Sequence, residues 1–277
     1  MSSMSKLLTS ILIATLALNA ADTVDEKTLK RYVERHVVLN PQVEVQGVEV
    51  FEKTSHKDIP EWEIYLTNMK LNYQGKELNA PEMIFIKDGF ATGHLVDLKS
   101  GRDYRDEIKP SVPNELYDDA HLIYGNKNAK HKIVVFSDPQ CPFCQEVVPD
   151  IMKAARENPD KIALYYYHLP LLRIHPVSDV LTRVMHVAQH EGKVAVLDRV
   201  YKMKINPRET NIKTILEEVK KQTDYSVTES QVNEPSVKEA LADDQKAASR
   251  MMVTGTPTIY IDGKWDKMRN GHEKLIK

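Results

Sequence analysis

The sequence predicts two folded parts: a small α+β layer, followed by an α/β part into which a block of helices is inserted. Three observations predict this arrangement. Strand-like stretches precede residue 100, a β-α-β pattern spans residues 132–168, and amphipathic helices follow between about 177 and 250. With 277 residues, of which 42% are hydrophobic, the chain is long enough for two ordinary cores. Its net charge of −2 gives no indication of nucleic-acid binding.

Residues 1–21 are predicted to be a secretory signal peptide. Lys6 supplies a positive charge, residues 7–18 are mostly apolar, and small alanines precede Asp22. The apolar run is too short to span a bilayer, which needs about 20 residues. An uncleaved membrane anchor is the alternative. Export would place the rest of the chain in a compartment where disulfides form and persist.

An N-terminal α+β domain is expected over residues 22–105. Apolar residues recur at helical spacing over residues 29–37. Strand-like stretches follow at residues 43–51, 62–73 and 83–98, and the hairpin-forming pair Asp88-Gly89 divides the last of them. This domain has no cysteine and no visible catalytic cluster, so we expect it to serve assembly or substrate access.

Residues 106–125 are predicted to link the two domains. The composition turns polar there, Pro110 and Pro113 lie close together, and Gly125 opens a turn-forming run. Within this linker we expect a short helix over residues 115–123.

The catalytic domain is expected over residues 126–277. Residues 132–137 form a continuous apolar run, which is typical of a strand buried on both faces. A helical stretch and a second strand at residues 162–168 follow it. The inserted helices are predicted over about 177–250, and residues 258–261 begin a closing hairpin that turns at Asp262-Gly263.

The only two cysteines, Cys141 and Cys144, lie at the predicted start of the first helix of this domain. Thiol–disulfide exchange needs a thiolate that attacks and a second thiol that resolves the mixed disulfide. A helix N-terminus lowers the pKa of a cysteine below its free value of about 8.5. Cys141 is therefore the expected nucleophile, and Cys144, one turn further in, the resolving thiol. Pro142 fits because a first-turn N–H has no intrahelical partner.

Other uses of the cysteine pair fit the sequence less well. A structural zinc site needs four ligands, and the chain has no further cysteine. A structural disulfide between residues this close would close too short a loop to stabilise the fold much. We expect no metal and no cofactor, because the sequence contains neither a glycine-rich phosphate loop nor an H-E-x-x-H motif. The histidines at 168, 186 and 190 lie in or beside apolar stretches, and His175 precedes Pro176 at a predicted helix start. These positions favour packing or surface roles for all four.

Residues 136–144 (FSDPQCPFC) and the later Thr256-Pro257 resemble the periplasmic Dsb proteins of the thioredoxin superfamily. The pattern is most similar to DsbC and DsbG, with a helical insertion similar to that of DsbA. The resemblance covers residues from about 120 to the C-terminus, and before that only the domain arrangement is similar. It implies a thioredoxin-like α/β fold with an inserted helical subdomain, a periplasmic location and a homodimer.

The resemblance also implies roles for individual residues. Pro257 would be in the cis form against the active site, and the backbone of Thr256 would pair with an extended substrate. Apart from the resemblance, the carboxylate of Asp138, three residues before the nucleophile, could accept the proton of Cys144 during resolution, but a role as a turn residue before Pro139 is favoured. Phe143 offers no cation that would stabilise a thiolate, and DsbA-like oxidants carry a histidine at that position.

We therefore expect a thiol:disulfide oxidoreductase, an isomerase or reductase, that acts on exported proteins with cysteines. A DsbA-like oxidase and a chaperone-like dimer that binds unfolded chains are the alternatives, and the membrane redox partner cannot be identified from the sequence. The expected dimer forms through residues 22–105. Residues 83–86 are the most apolar strand-like run there, and pairing them across a two-fold axis would cover them.

Overall fold

The computed structural model describes residues 24–276. The predicted signal peptide at residues 1–21 lies outside the described residues. Helix α1 (Glu26–His36) comes first, and its N-terminus is capped by Asp25, whose carboxylate accepts a hydrogen bond from the Thr28 N–H at 2.7 Å. Among residues 24–276, no helix is both long and apolar enough to cross a membrane.

The first sheet packs against α1. Its strands are β1 (Val43–Thr54), β2 (Glu63–Tyr73), β3 (Lys76–Lys87) and β4 (Phe90–Thr92), paired antiparallel in chain order. Strand β3 begins earlier than residue 83, where the sequence predicts it. The turn at Gln74-Gly75, with positive φ at both residues, pairs polar residues of β3 with the end of β2.

The apolar run at residues 83–86 is buried by the chain itself. Ile84 and Ile86 point toward the core under α1, and Met83 and Phe85 pack on the other face with Tyr104. Because both faces of the run are already covered, a dimer is not needed to bury these residues.

The second sheet has strand order β5-β7-β6-β8-β9. Its strands are β5 (Leu122–Tyr124), β6 (His131–Ser137), β7 (Ile162–His168), β8 (Thr258–Ile261) and β9 (Lys264–Trp265). Helix α2 (Pro142–Glu157) connects β6 to β7, which run parallel, and β8 pairs antiparallel with β6. The predicted β-α-β unit and closing hairpin are confirmed.

The expected helix at residues 115–123 was wrong. A 3₁₀ turn occupies Asn114–Leu116, and β5 then pairs antiparallel with β7. Ile123 of β5 is buried in the core beside α2. Pairing with β7 and this burial therefore outweigh the local helical pattern of residues 115–123.

The helical block lies between β7 and β8. It consists of α3 (Ser178–His190), α4 (Ala195–Val200), α5 (Ile212–Thr223), α6 (Glu229–Val232) and α7 (Pro235–Arg250). Most of its apolar residues share one core with α2 and one side of the second sheet, whereas Ala248 near the end of α7 packs on the other side of that sheet. This core lies directly behind the cysteine pair.

Candidate active site

The cysteine pair lies where the central strand β6 passes into α2. Cys141 is the N-cap residue of α2, and Pro142 is its first helical residue. Both cysteines are free thiols. Cys141 is 5% exposed and Cys144 is completely buried, so only Cys141 reaches the surface.

The loop before β8 brings Thr256 against Cys141. The peptide bond between Thr256 and Pro257 is cis, as expected. Because Thr258 pairs with Phe136 at the end of β6, this loop lies beside the start of α2. The thiol of Cys141 donates a hydrogen bond to the Thr256 carbonyl at 3.4 Å. The two sequence motifs, more than a hundred residues apart, therefore meet at one sulfur.

The surroundings of the two thiols shift their pKa values in opposite directions. The pKa of Cys141 is lowered to about 5, chiefly because the thiol of Cys144 donates a hydrogen bond to its thiolate, while burial opposes the change. The Thr256 side chain and the N–H groups of Cys144 and Phe143 at the helix start lower it further. Burial, above all, raises the pKa of Cys144. At neutral pH, Cys141 is a thiolate and Cys144 is its hydrogen-bond donor.

The hydroxyl of Thr256 is suited to stabilise that thiolate. Its Oγ1 atom is buried and has no hydrogen-bond partner within residues 24–276. Once Cys141 ionises, this O–H is available to donate to the sulfur. The residue therefore contributes its carbonyl to the thiol form and its hydroxyl to the thiolate form.

Asp138 anchors the loop that leads to the cysteines. One carboxylate oxygen accepts hydrogen bonds from Gln140 N at 2.8 Å and Ser178 Oγ at 2.6 Å. The other accepts from Leu171 N at 2.8 Å and bonds to His175 Nδ1 at 2.9 Å. The bond to Gln140 agrees with the predicted turn.

A role of Asp138 as proton acceptor is not supported by these contacts. In the described part of the chain, its carboxylate makes no hydrogen bond to either thiol, and both oxygens are engaged. Sequence reasoning missed that His175 and Ser178 contact Asp138, because nothing in their local pattern indicates a partner about 40 residues earlier.

Ser137, which sequence reasoning also missed, affects the pKa of the second thiol. This residue ends β6 and is completely buried. A hydrogen bond from its side chain lowers the pKa of Cys144 against the larger effect of burial.

The surface around the pair is apolar and exposed in places. Phe143 is 60% exposed, and the guanidinium of Arg269 lies 5.8 Å from its ring centroid. In the loop after β7, which bonds to Asp138 through Leu171 and His175, Leu172 and Ile174 are also exposed.

The other histidines lie apart from the pair. His168 is buried, and neither ring nitrogen has a hydrogen-bond partner in the described chain. His186 packs between it and His190, at ring-centroid distances of 6.1 and 4.4 Å. Within residues 24–276, no group of three or more His, Cys, Asp or Glu side chains is arranged to hold a metal ion.

The family model described as thioredoxin matches residues 118–275, more than half of the chain. The chain belongs to the thioredoxin family. The expected thioredoxin-like α/β fold is thereby confirmed, and so is the expected enzyme class, a thiol:disulfide oxidoreductase. The match begins within the predicted linker and includes the cysteine pair, Thr256-Pro257 and the helical block.

Individual relatives are distant. The chain is 20% identical to the probable disulfide bond formation protein D of Bacillus cereus over 167 residues, which are 55% of this chain and 77% of that one. It is 24% identical over 146 residues to the Na⁺/H⁺ antiporter NhaA 1 of a Mycobacterium species, covering 52% of this chain but only 24% of the antiporter. Among solved structures, oxidised BdbD from Bacillus subtilis is 15% identical, with a TM-score of 0.48 over 61% of this chain and 97% of that one.

Proposed function

We propose that this thiol:disulfide oxidoreductase acts on disulfides of exported proteins, with Cys141 as the attacking thiolate and Cys144 as the resolving thiol. The asymmetry of the pair carries the proposal. Cys141 lies at the helix start, reaches the surface and has a pKa of about 5, whereas Cys144 is buried and has a raised pKa. A structural disulfide needs no such difference between its two sulfurs.

The proposed reaction proceeds through a mixed disulfide. The Cys141 thiolate attacks one sulfur of a substrate disulfide, so that a new S–S bond forms and the other substrate sulfur leaves as a thiolate. Cys144 then attacks the sulfur of Cys141, and the substrate departs with both of its sulfurs reduced. In isomerisation, a second substrate thiolate attacks the mixed disulfide instead and releases Cys141 unchanged.

Thr256 is proposed to hold the substrate beside the nucleophile. Its carbonyl already lies within hydrogen-bond distance of the Cys141 sulfur. An extended substrate segment that pairs with the backbone of Thr256 would bring its disulfide to that sulfur. Phe143 would then contact apolar side chains of an unfolded substrate.

The lowered pKa of Cys141 favours an isomerase over a reductase. A lowered pKa stabilises the reduced form and makes the disulfide more oxidising. The potential of protein disulfide isomerase, about −180 mV, is more oxidising than that of thioredoxin, about −270 mV.

The cellular location and the assembly state belong to the same proposal. We place the protein in the periplasm as a homodimer through residues 22–105, on the strength of its resemblance to DsbC and DsbG. The proposed domain limits are residues 22–105 and 126–277, with a linker at 106–125 and a helical insertion at about 177–250. The separate hydrophobic cores of the two sheets support this division.

Two assays test the function. Insulin reduction should be lost in Cys141→Ser, and equal activity in that variant and the wild type would contradict the role of Cys141. Equilibration with glutathione should give a potential between about −270 mV, which would indicate a reductase, and about −120 mV, which would indicate an oxidase. Sedimentation of the mature protein at micromolar concentration tests the dimer, and a monomer there would end that part of the proposal.

A further inference from the structure

Three buried hydroxyl groups form a row in the same core as the cysteine pair. Ser137 Oγ lies 2.6 Å from the hydroxyl of Tyr201, which lies 2.7 Å from the hydroxyl of Tyr166. Ser137 and Tyr166 are 0% exposed and Tyr201 is 3% exposed, so water does not reach the row freely. Each of these residues comes from a different element: the end of β6, strand β7 and the C-cap of α4.

In each of the two hydrogen bonds of this row, either hydroxyl could be the donor. Three hydroxyls have three protons, but only two hydrogen bonds join them. If Tyr166 donates to Tyr201 and Tyr201 donates to Ser137, the Ser137 proton remains to make the hydrogen bond that lowers the pKa of Cys144. In this arrangement each of the three hydroxyl protons has an acceptor, as is usual for buried polar groups.

We propose that Ser137 and Tyr201 are positioning residues that prepare Cys144 to attack, by directing a row of hydrogen-bond donors at its sulfur. The inference rests on the proposed function, in which Cys144 resolves the mixed disulfide. No carboxylate takes part. Asp138, the nearest one in sequence, uses both oxygens to anchor the surrounding loop.

The chemistry of resolution explains the need for these donors. Cys144 attacks the Cys141 sulfur, the Cys141–Cys144 bond forms, and the bond from Cys141 to the substrate sulfur breaks. The proton lost by Cys144 ends on the departing substrate sulfur. The hydroxyls keep their own protons and lower the free energy of the buried thiolate by hydrogen bonding, which is strongest where water is excluded.

The effect of the Ser137 donor grows once the mixed disulfide has formed. In the free reduced protein, burial raises the pKa of Cys144 most, and the hydrogen bond that its thiol donates to Cys141 raises it further. A disulfide at Cys141 is uncharged, so that second contribution disappears. The hydrogen bond from Ser137, which lowers the pKa, stays.

Ellman's reagent (5,5′-dithiobis(2-nitrobenzoate)) gives a direct test on the full chain. Cys141 reacts first and releases one thionitrobenzoate, and Cys144 then expels a second one from the mixed disulfide. Stopped-flow absorbance over a range of pH therefore separates attack from resolution. We expect Ser137→Ala to slow the second release about 10- to 100-fold at neutral pH and to move its pH midpoint upward, with the first release little changed.

Tyr201→Phe should act in the same direction but less, because it removes only the donor behind Ser137. Ser137→Thr, which keeps a hydroxyl, should restore the rate. Tyr165→Phe is the matched control. Tyr165 lies on the opposite side of β7, is buried, and its hydroxyl has no hydrogen-bond partner in the part of the chain that the structure describes.

The outcomes separate this inference from the proposed function. If the wild type never releases the second thionitrobenzoate, Cys144 does not resolve and the proposed function itself fails. If the wild type does release it, and folded Ser137→Ala and Tyr201→Phe keep its rate and pH midpoint, the inference is overturned. If circular dichroism shows that Ser137→Ala is unfolded, the test is the second release in Tyr201→Phe compared with that in Tyr165→Phe. Equal rates and pH midpoints in these two variants would overturn the inference.

Discussion

Replacing Cys144 by alanine is expected to raise the pKa of Cys141. The thiol of Cys144 donates the hydrogen bond that does most to lower the pKa of Cys141 to about 5. A hydrogen bond to a charged group contributes about 1.5–3 kcal/mol. Since one pKa unit corresponds to about 1.4 kcal/mol, its loss should move the pKa of Cys141 to about 6–7.

Ultraviolet absorbance of the thiolate, followed against pH in the reduced protein, measures this shift. Below pH 8 the wild-type step belongs to Cys141 alone, because the pKa of Cys144 is raised. Cys144→Ser is the matched control, since its hydroxyl still donates and should give a smaller shift. Equal midpoints for the wild type and Cys144→Ala would refute this account of how the thiolate is stabilised.

Three further substitutions test other contacts of the site. Thr256→Val should raise the pKa of Cys141 by about one unit, because the thiolate loses a hydroxyl donor, and the same absorbance titration would show no shift if that hydroxyl does not contribute. Asp138→Asn should lower the free energy of unfolding in urea by about 2–4 kcal/mol, since an amide NH₂ would face donors that a carboxylate accepts; a loss below about 0.5 kcal/mol would contradict its anchoring role. Burial holds the pKa of His168 well below its usual range. Below about pH 6.5 this histidine therefore binds a proton in the unfolded chain but not in the folded one, and the free energy of unfolding falls as the pH is lowered. Between pH 7.5 and 5.5, the free energy of unfolding should therefore drop by about 1.4 kcal/mol less in His168→Leu than in the wild type. An equal drop in both would show that this histidine is protonated in the folded state.

The elements that the sequence predicts well are those whose pattern is local. The apolar run of β6, the cysteine pair at a helix start and the hairpin at Asp262-Gly263 each lie within a few residues. The cis peptide before Pro257 was also expected, but from the resemblance to a family and not from its neighbours.

Contacts between distant residues could not be predicted in the same way. Ser137 meets Tyr201 across 64 residues, and Asp138 meets His175 across 37. Neither partner stands out in the sequence, because a tyrosine near a helix end and a histidine in a loop are compatible with many surroundings. Strand β5 is likewise formed by pairing with β7 and not by its own three residues.

The apolar run at residues 83–86 shows a second limit. Its composition correctly predicts burial, and all four side chains are at most 6% exposed. Composition does not say what covers them. Helix α1 covers one face and the segment around Tyr104 the other, so no second copy is required there.

The most direct test of the central claim, that Cys141 is the nucleophile and Cys144 the resolving thiol, is alkylation of the reduced wild-type protein. A brief exposure to iodoacetamide at pH 6, followed by peptide mass spectrometry, shows which cysteine is labelled. We predict that Cys141 is labelled and Cys144 is not, because Cys141 is a thiolate with a pKa of about 5 and Cys144 is buried with a raised pKa. Labelling of Cys144 first, or of both at equal rates, would contradict the account.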